Sequence, residues 1–116
     1  MAPMANRPRT LTVDLHGHDV LTAVDFALRR VAEAHNNGYE SIELVHGAAD
    51  VEEPVTEGRG RIKWELRQSA RSGVFGRWIE PARTWEKAGS LVLYLKPNPR
   101  ARPESWSREP PRRHRR

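Results

Sequence analysis

Apolar and polar residues alternate along Leu11-Thr12-Val13-Asp14-Leu15, and the run stops at His16-Gly17. That period of two predicts a half-buried strand over about Thr10 to Leu15. Val20, Val24, Ala27, Leu28 and Val31 then recur at helical spacing, predicting a helix from about Val20 to Ala34, with Asp19 as its N-cap and Asn36-Asn37-Gly38 as its stop. Ser41 to Val45 reads as a second strand, and it too ends in a His-Gly pair, His46-Gly47. A long acidic loop follows. Gly58-Arg59-Gly60 opens a second helix, about Arg61 to Ala70, whose apolar row is Ile62, Leu66 and Ala70 and which Gly73 ends. A third strand is predicted at Phe75 to Ile79, a loop at Trp85 to Gly89, and a fully buried strand at Leu91 to Leu95, stopped by Pro97 and Pro99.

The order β-α-β-α-β-β predicts an α/β fold: a two-layer α/β sandwich, with a four-stranded mixed sheet and both helices on one face. Two strands joined by a crossover helix run parallel, so their carboxyl ends share one edge of the sheet. Ligands of open α/β sheets bind outside that edge. His16 and His46 therefore stand on one rim, and Gly17 and Gly47 let the backbone turn tightly beside them.

Composition changes this picture mainly at the ends. In a chain of 116 residues, hydrophobic content is 37%, below the usual globular share. The shortage lies in a lead at 1–9 and a tail at 98–116, both expected to be disordered, which leaves one domain at 10–97. The tail holds seven arginines against Glu104 and Glu109, which accounts for the whole formal net charge of +5. Residues 1–99 together are formally neutral. The chain has no cysteine, so disulfides and thiolate chemistry are excluded. No apolar run is long enough to span a membrane and no signal region opens the chain, so a cytoplasmic monomer is expected.

Two glycines and a helix start make Gly58, Arg59 and Gly60 a candidate phosphate cradle, with Arg61 among the residues that could track the backbone beyond it. Arg59, Lys63, Arg67 and Arg71 repeat every four residues and share a helix face that could track a phosphate backbone. The competing reading is a solvated face neutralised by the six acids, and no Lys or Arg, of residues 40–57. His18 and His35 read as surface residues, and Trp64, Trp78 and Trp85 as core or rim packing. Asp14 lies on the strand face of His16, two residues away, and could orient that ring or cap a backbone amide.

Asp14-Leu15-His16-Gly17 before a helix resembles the LDLHG motif that opens Smr (small MutS-related) domains, here of the stand-alone bacterial type. His46-Gly47 resembles the family's second motif, His-Gly-x-Gly or Thr-Gly-x-Gly. Gly58-Arg59-Gly60-Arg61-Ile62 resembles the segment opening its second helix, and Ala88-Gly89-Ser90 with the apolar run to Leu95 resembles its closing loop and strand. The resemblance implies a fold like the C-terminal domain of bacterial translation initiation factor three. It also implies an endonuclease or nickase acting on RNA or DNA, with Asp14, His16, His46 and Gly47 carrying the site.

Phosphodiester cleavage needs a base, an acid and cations for the developing charge. Two imidazoles on one rim could supply the first two. RNA brings its own nucleophile, whereas DNA needs an activated water, usually on a metal such as Mg²⁺ or Mn²⁺. One Asp with two His makes a thin metal site, so no residue is assigned as a ligand. The alternative is a non-catalytic nucleic-acid- or ribosome-binding module with the same fold. Ala49, where the motif would have a second glycine, and the acidic loop favour that alternative.

Overall fold

The computed structural model describes residues 10–112, so the first nine residues and the last four of the expected tail lie outside it. The chain forms β1 (Thr10–Asp14), α1 (Val20–Asn36), β2 (Ser41–Val45), α2 (Arg61–Arg71), a 3-10 turn (Pro81–Arg83), β3 (Trp85–Glu86) and β4 (Ser90–Tyr94). The sheet order is β1-β2-β4-β3. β1 and β2 are parallel, whereas β4 runs antiparallel to both β2 and β3. This is the four-stranded mixed sheet that the alternation predicts.

The registers align Leu11 with Ile42 and Leu93, and Val13 with Leu44 and Leu91. These side chains make the inner face of the sheet, buried with Ala23, Phe26, Ala27 and Val31 of α1 and Leu66 and Ala70 of α2. Thr12, Glu43, Val92 and Trp85 align on the other face. Asp19 caps α1 by accepting a hydrogen bond from the Thr22 amide, and Gly38, at φ +84°, turns the chain out of the helix. Among the described residues, no helix is long and apolar enough to cross a membrane.

The third strand is not where the pattern put it. Phe75 and Ile79 are both fully buried, but the Trp78 and Ile79 amides both donate to the Phe75 carbonyl, so this stretch is a helical turn. A spacing of four puts two residues on one face of a strand or of a helical turn alike, so the spacing could not decide. Only Ile79 reaches the sheet, in a bridge to Leu95. The edge strand is instead Trp85–Glu86, read from sequence as loop, and Trp85 on it is 55% exposed rather than packed.

Residues 98–112 have no helix or strand, as their composition suggests, yet they lie against the domain. The Arg102 amide donates to the Asn36 carbonyl, the Glu104 amide to Asn37 Oδ1, and the Ser107 amide to Glu33 Oε2. Trp106 meets Tyr39 edge to face at 5.9 Å, with the Arg30 guanidinium 5.5 Å from its ring.

Candidate functional site

The parallel pairing of β1 and β2 brings the two His-Gly turns together. Leu15 closes the ladder by donating to the Val45 carbonyl at 2.8 Å. Gly17 and Gly47 both have left-handed backbones, at φ +89° and +79°. A side chain at Gly47 would meet the Cβ of His16 at 3.6 Å. The Gly89 carbonyl accepts both the His46 and Gly47 amides, so the loop before β4 buttresses the second turn.

A cavity of about 390 Å³ lies at this edge, lined by His16, Gly17, His18, His46 and the start of α2 from Gly58 to Lys63. Gly60 is the left-handed N-cap of α2, at φ +91°, and a Cβ there would lie 2.7 Å from Val51 Cγ1. Glycine is thus required both by the backbone and by the packing of the acidic loop over the helix start. The first residues of α2 line the cavity, so the positive end of the helix dipole lies beside it.

The two histidines sit in opposite surroundings. The His16 side chain is 64% exposed, and its Nδ1 lies 2.7 Å from Asp14 Oδ1, which also accepts the His16 amide. Burial alone would raise the Asp14 carboxyl. The hydrogen bonds from His16 and the nearby charges of His16 and Arg112 outweigh it and hold the group below the usual carboxylate range. Asp14 therefore accepts from Nδ1 and leaves His16 Nε2 for other partners. His46 is only 5% exposed. Burial, then the charges of Lys63 and Arg67, push its imidazole down to about 4, with a weaker opposing influence from the Ser90 backbone. It is neutral at pH 7. Its Nδ1 receives a long bond of 3.5 Å from the Ala48 amide, and its Nε2 is buried without a hydrogen-bond partner among the described residues.

The basic residues divide. Arg61 lines the cavity, and its Nε is likewise buried without a partner. Arg59 lines it too, but is held by Asp50 through bonds of 2.6 and 3.1 Å. Lys63 is buried and donates to the Ala48 and Val51 carbonyls at 3.2 and 2.6 Å, so it holds the loop rather than tracking phosphates. Arg67 lies outside the cavity lining. It donates to the Lys87 carbonyl, stacks 4.8 Å from the Trp64 ring, and faces Glu86, which Arg71 grips with two bonds. The stripe is thus largely neutralised, by Asp50 as the acidic loop suggested and by Glu86, which the sequence did not single out.

His18, read from sequence as a surface residue, is buried on the cavity wall, with Nε2 3.0 Å from Glu109 Oε2. Arg112 donates to the Asp14 and His16 carbonyls at 2.9 Å each. No local pattern marks either contact, because each spans more than 90 residues of chain. Among the described residues, no three His, Asp or Glu side chains converge as a metal ion held by protein side chains alone would require.

The class these features define is a two-layer α/β domain whose two parallel strands end in His-Gly turns beside a helix N-terminus. That fold is the fold of Smr domains. The chain superposes on the Smr domain of Thermus thermophilus MutS2 with a TM-score of 0.57 and 22% sequence identity, covering 75% of this chain and 99% of that one. No protein-family model matches the sequence, and no curated protein matches it.

Proposed function

We propose that this chain is a nucleic-acid endonuclease or nickase that cleaves phosphodiesters with His16 and His46 at the carboxyl edge of the sheet. The observation carrying the reading is the buried, unpartnered Nε2 of His46 in a cavity shared with His16 and the start of α2. Leaving such a nitrogen unpaired costs on the order of 1–3 kcal/mol, which a bound oxygen would recover. A phosphate fits that gap. Its oxygens would meet the α2 amides, the Arg61 guanidinium and the cavity-facing backbone of Gly58 and Gly60.

The environments suggest a division of labour. His46, neutral at pH 7 and accepting from the Ala48 amide at Nδ1, carries its one ring proton on Nε2 and so suits hydrogen bonding to a phosphate oxygen. His16, steadied on its Nδ1 side by Asp14, presents Nε2 for proton exchange with the attacking or leaving oxygen. With RNA, the 2′-hydroxyl oxygen would attack phosphorus and expel the 5′-oxygen, His16 Nε2 taking the hydroxyl proton and returning one to the leaving oxygen while His46 Nε2–H holds the phosphate. The second reading, a non-catalytic nucleic-acid- or ribosome-binding module, draws support from Ala49, which stands where the motif has its second glycine and lies against Gly89.

The test is cleavage of single-stranded RNA and supercoiled DNA by wild type and His46→Ala, each in EDTA and with Mg²⁺ or Mn²⁺. RNA cut in EDTA and spared by the variant supports the histidine reading. Cutting that needs the metal overturns a two-imidazole reaction. Binding without cutting in any condition favours the module.

A further inference from the structure

We propose that Arg112 is a positioning residue for the Asp14–His16 pair, so that the C-terminal segment is a working part of the candidate site. The proposal rests on the reading of Asp14 and His16 as functional. Among the described residues β1 is an edge strand, paired with β2 alone. Leu15 faces β2, and by the alternation of a strand the carbonyls of Asp14 and His16 face the open side. Arg112 supplies the partner that a neighbouring strand would otherwise give. Its Nη1 donates to the His16 carbonyl and its Nη2 to the Asp14 carbonyl, both at 2.9 Å, with Nη1 also 3.7 Å from Asp14 Oδ2. The planar fork places two nitrogens at a fixed separation, one for each carbonyl.

The fork is itself held. Glu109 Oε2 accepts from Arg112 Nε at 2.9 Å and is ion-paired with Nη2 at 2.7 Å. The same carboxylate oxygen lies 3.0 Å from Nε2 of buried His18. His18 follows His16 by two residues, so the turn is gripped twice by one segment, at its carbonyls through Arg112 and at its ring through Glu109. The Arg112 stem also covers Gly17, where an added Cβ would meet Arg112 Cδ at 3.4 Å. The segment arrives already fixed to the end of α1 and to Glu33, and Pro103, Pro110 and Pro111 limit its freedom. Less entropy is therefore lost in holding the guanidinium at the turn.

The experiment compares full-length wild type, Arg112→Ala and Arg112→Lys by NMR of the His16 ring and the His16 and Gly17 amides, alongside Tm and cleavage kinetics. We expect Arg112→Ala to shift and broaden these signals while those of α2 stay in place, and Arg112→Lys, with the charge but not the fork, to restore them only in part. Where RNA is cleaved, kcat should fall by about tenfold to a hundredfold with KM within twofold, as misplacement of a reacting group predicts. Glu109→Ala, which loosens the fork without removing it, should give an intermediate shift and keeps the test open if Arg112→Ala unfolds. Unchanged His16 and Gly17 signals in Arg112→Ala would overturn the proposal. So would full restoration by lysine, or a rise in KM with kcat unchanged, which would make Arg112 a substrate contact. A wild type that cleaves nothing refutes the nuclease reading alone, because the NMR arm needs no substrate.

Discussion

The two His-Gly turns are near copies in sequence and opposites in environment. At the end of β1, His16 is exposed, bonded to a carboxylate, and its backbone is clamped from outside the sheet by Arg112. At the end of β2, His46 is buried beside Lys63, neutral, and short of one hydrogen bond. Position in the sheet makes the difference. Among the described residues β1 is an edge strand with Arg112 on its outer side, whereas β2 lies between β1 and β4 and under the loop that Lys63 holds down. One motif thus yields two chemically distinct imidazoles, the kind of separated pair on which acid–base work depends.

Removing each ring is the strongest way to break the comparison. If both imidazoles act, His16→Ala and His46→Ala each lower cleavage by about a hundredfold to ten-thousandfold. Asp14→Asn separates them, since its carboxylate touches only the first. It should cut the rate while leaving the His46 NMR titration unmoved, and a shift of His46 in that variant would show that the two ends are not independent.

Lys63 sharpens the contrast at the buried end. Lys63→Met removes the donor to the Ala48 and Val51 carbonyls. Bonds of this charged kind contribute about 1.5–3 kcal/mol, so urea unfolding should show a loss of about 2 kcal/mol. The same change removes a positive neighbour of His46, whose titration should move up from about 4 toward the ordinary histidine range. His46 staying near its wild-type value would remove Lys63 from the causes and leave burial and Arg67.

The pH dependence of stability follows from the same group. His46 titrates near 6.5 when unfolded and about 4 when folded, so the unfolded chain takes up the proton first. The stabilisation is complete above pH 6.5 and drains away as pH falls toward 4, reaching at most about 2 kcal/mol by pH 5 at 1.36 kcal/mol per pKa unit. His46→Gln should flatten that part of the profile. His35, also pushed down, by burial and Lys96, leaves a residual slope of the same sign. The carboxylates of Asp14, Glu43 and Glu86, all held low, add their losses at more acid pH.

Much of this was legible in the chain itself. Alternation and helical spacing located β1, α1, β2 and α2, because each buries one face against a common core, and an unbroken apolar run located β4, which is buried on both faces. The His-Gly pairs announced the shared rim because parallel strands leave little choice of edge. What was not legible was decided by tertiary contact. Phe75 and Ile79 fit two periods equally, and the partners of the arginine stripe depended on where Glu86 came to rest. Lys63 looked like a phosphate contact until the loop folded over it. His18 looked exposed because Glu109, its partner, lies 91 residues away.

The glycines give the smallest and most local test. Gly17 and Gly47 both sit in the left-handed region, where any other residue costs roughly 1–2 kcal/mol. The backbone term is therefore shared, and only the neighbours differ. A Cβ at Gly47 meets His16 Cβ at 3.6 Å, an ordinary contact, so Gly47→Ala should show little beyond the backbone cost. At Gly17 the neighbour is Arg112 Cδ at 3.4 Å, and a methyl there presses on the stem that carries the fork. Gly17→Ala should then lose a few tenths of a kcal/mol more in urea unfolding, on the scale of lost packing contacts. In an Arg112→Ala background that excess should vanish while the Gly47→Ala cost stays the same. An excess that survives the removal of Arg112 would place its origin in the turn itself, and the asymmetry between the two His-Gly ends would then owe nothing to the C-terminal segment.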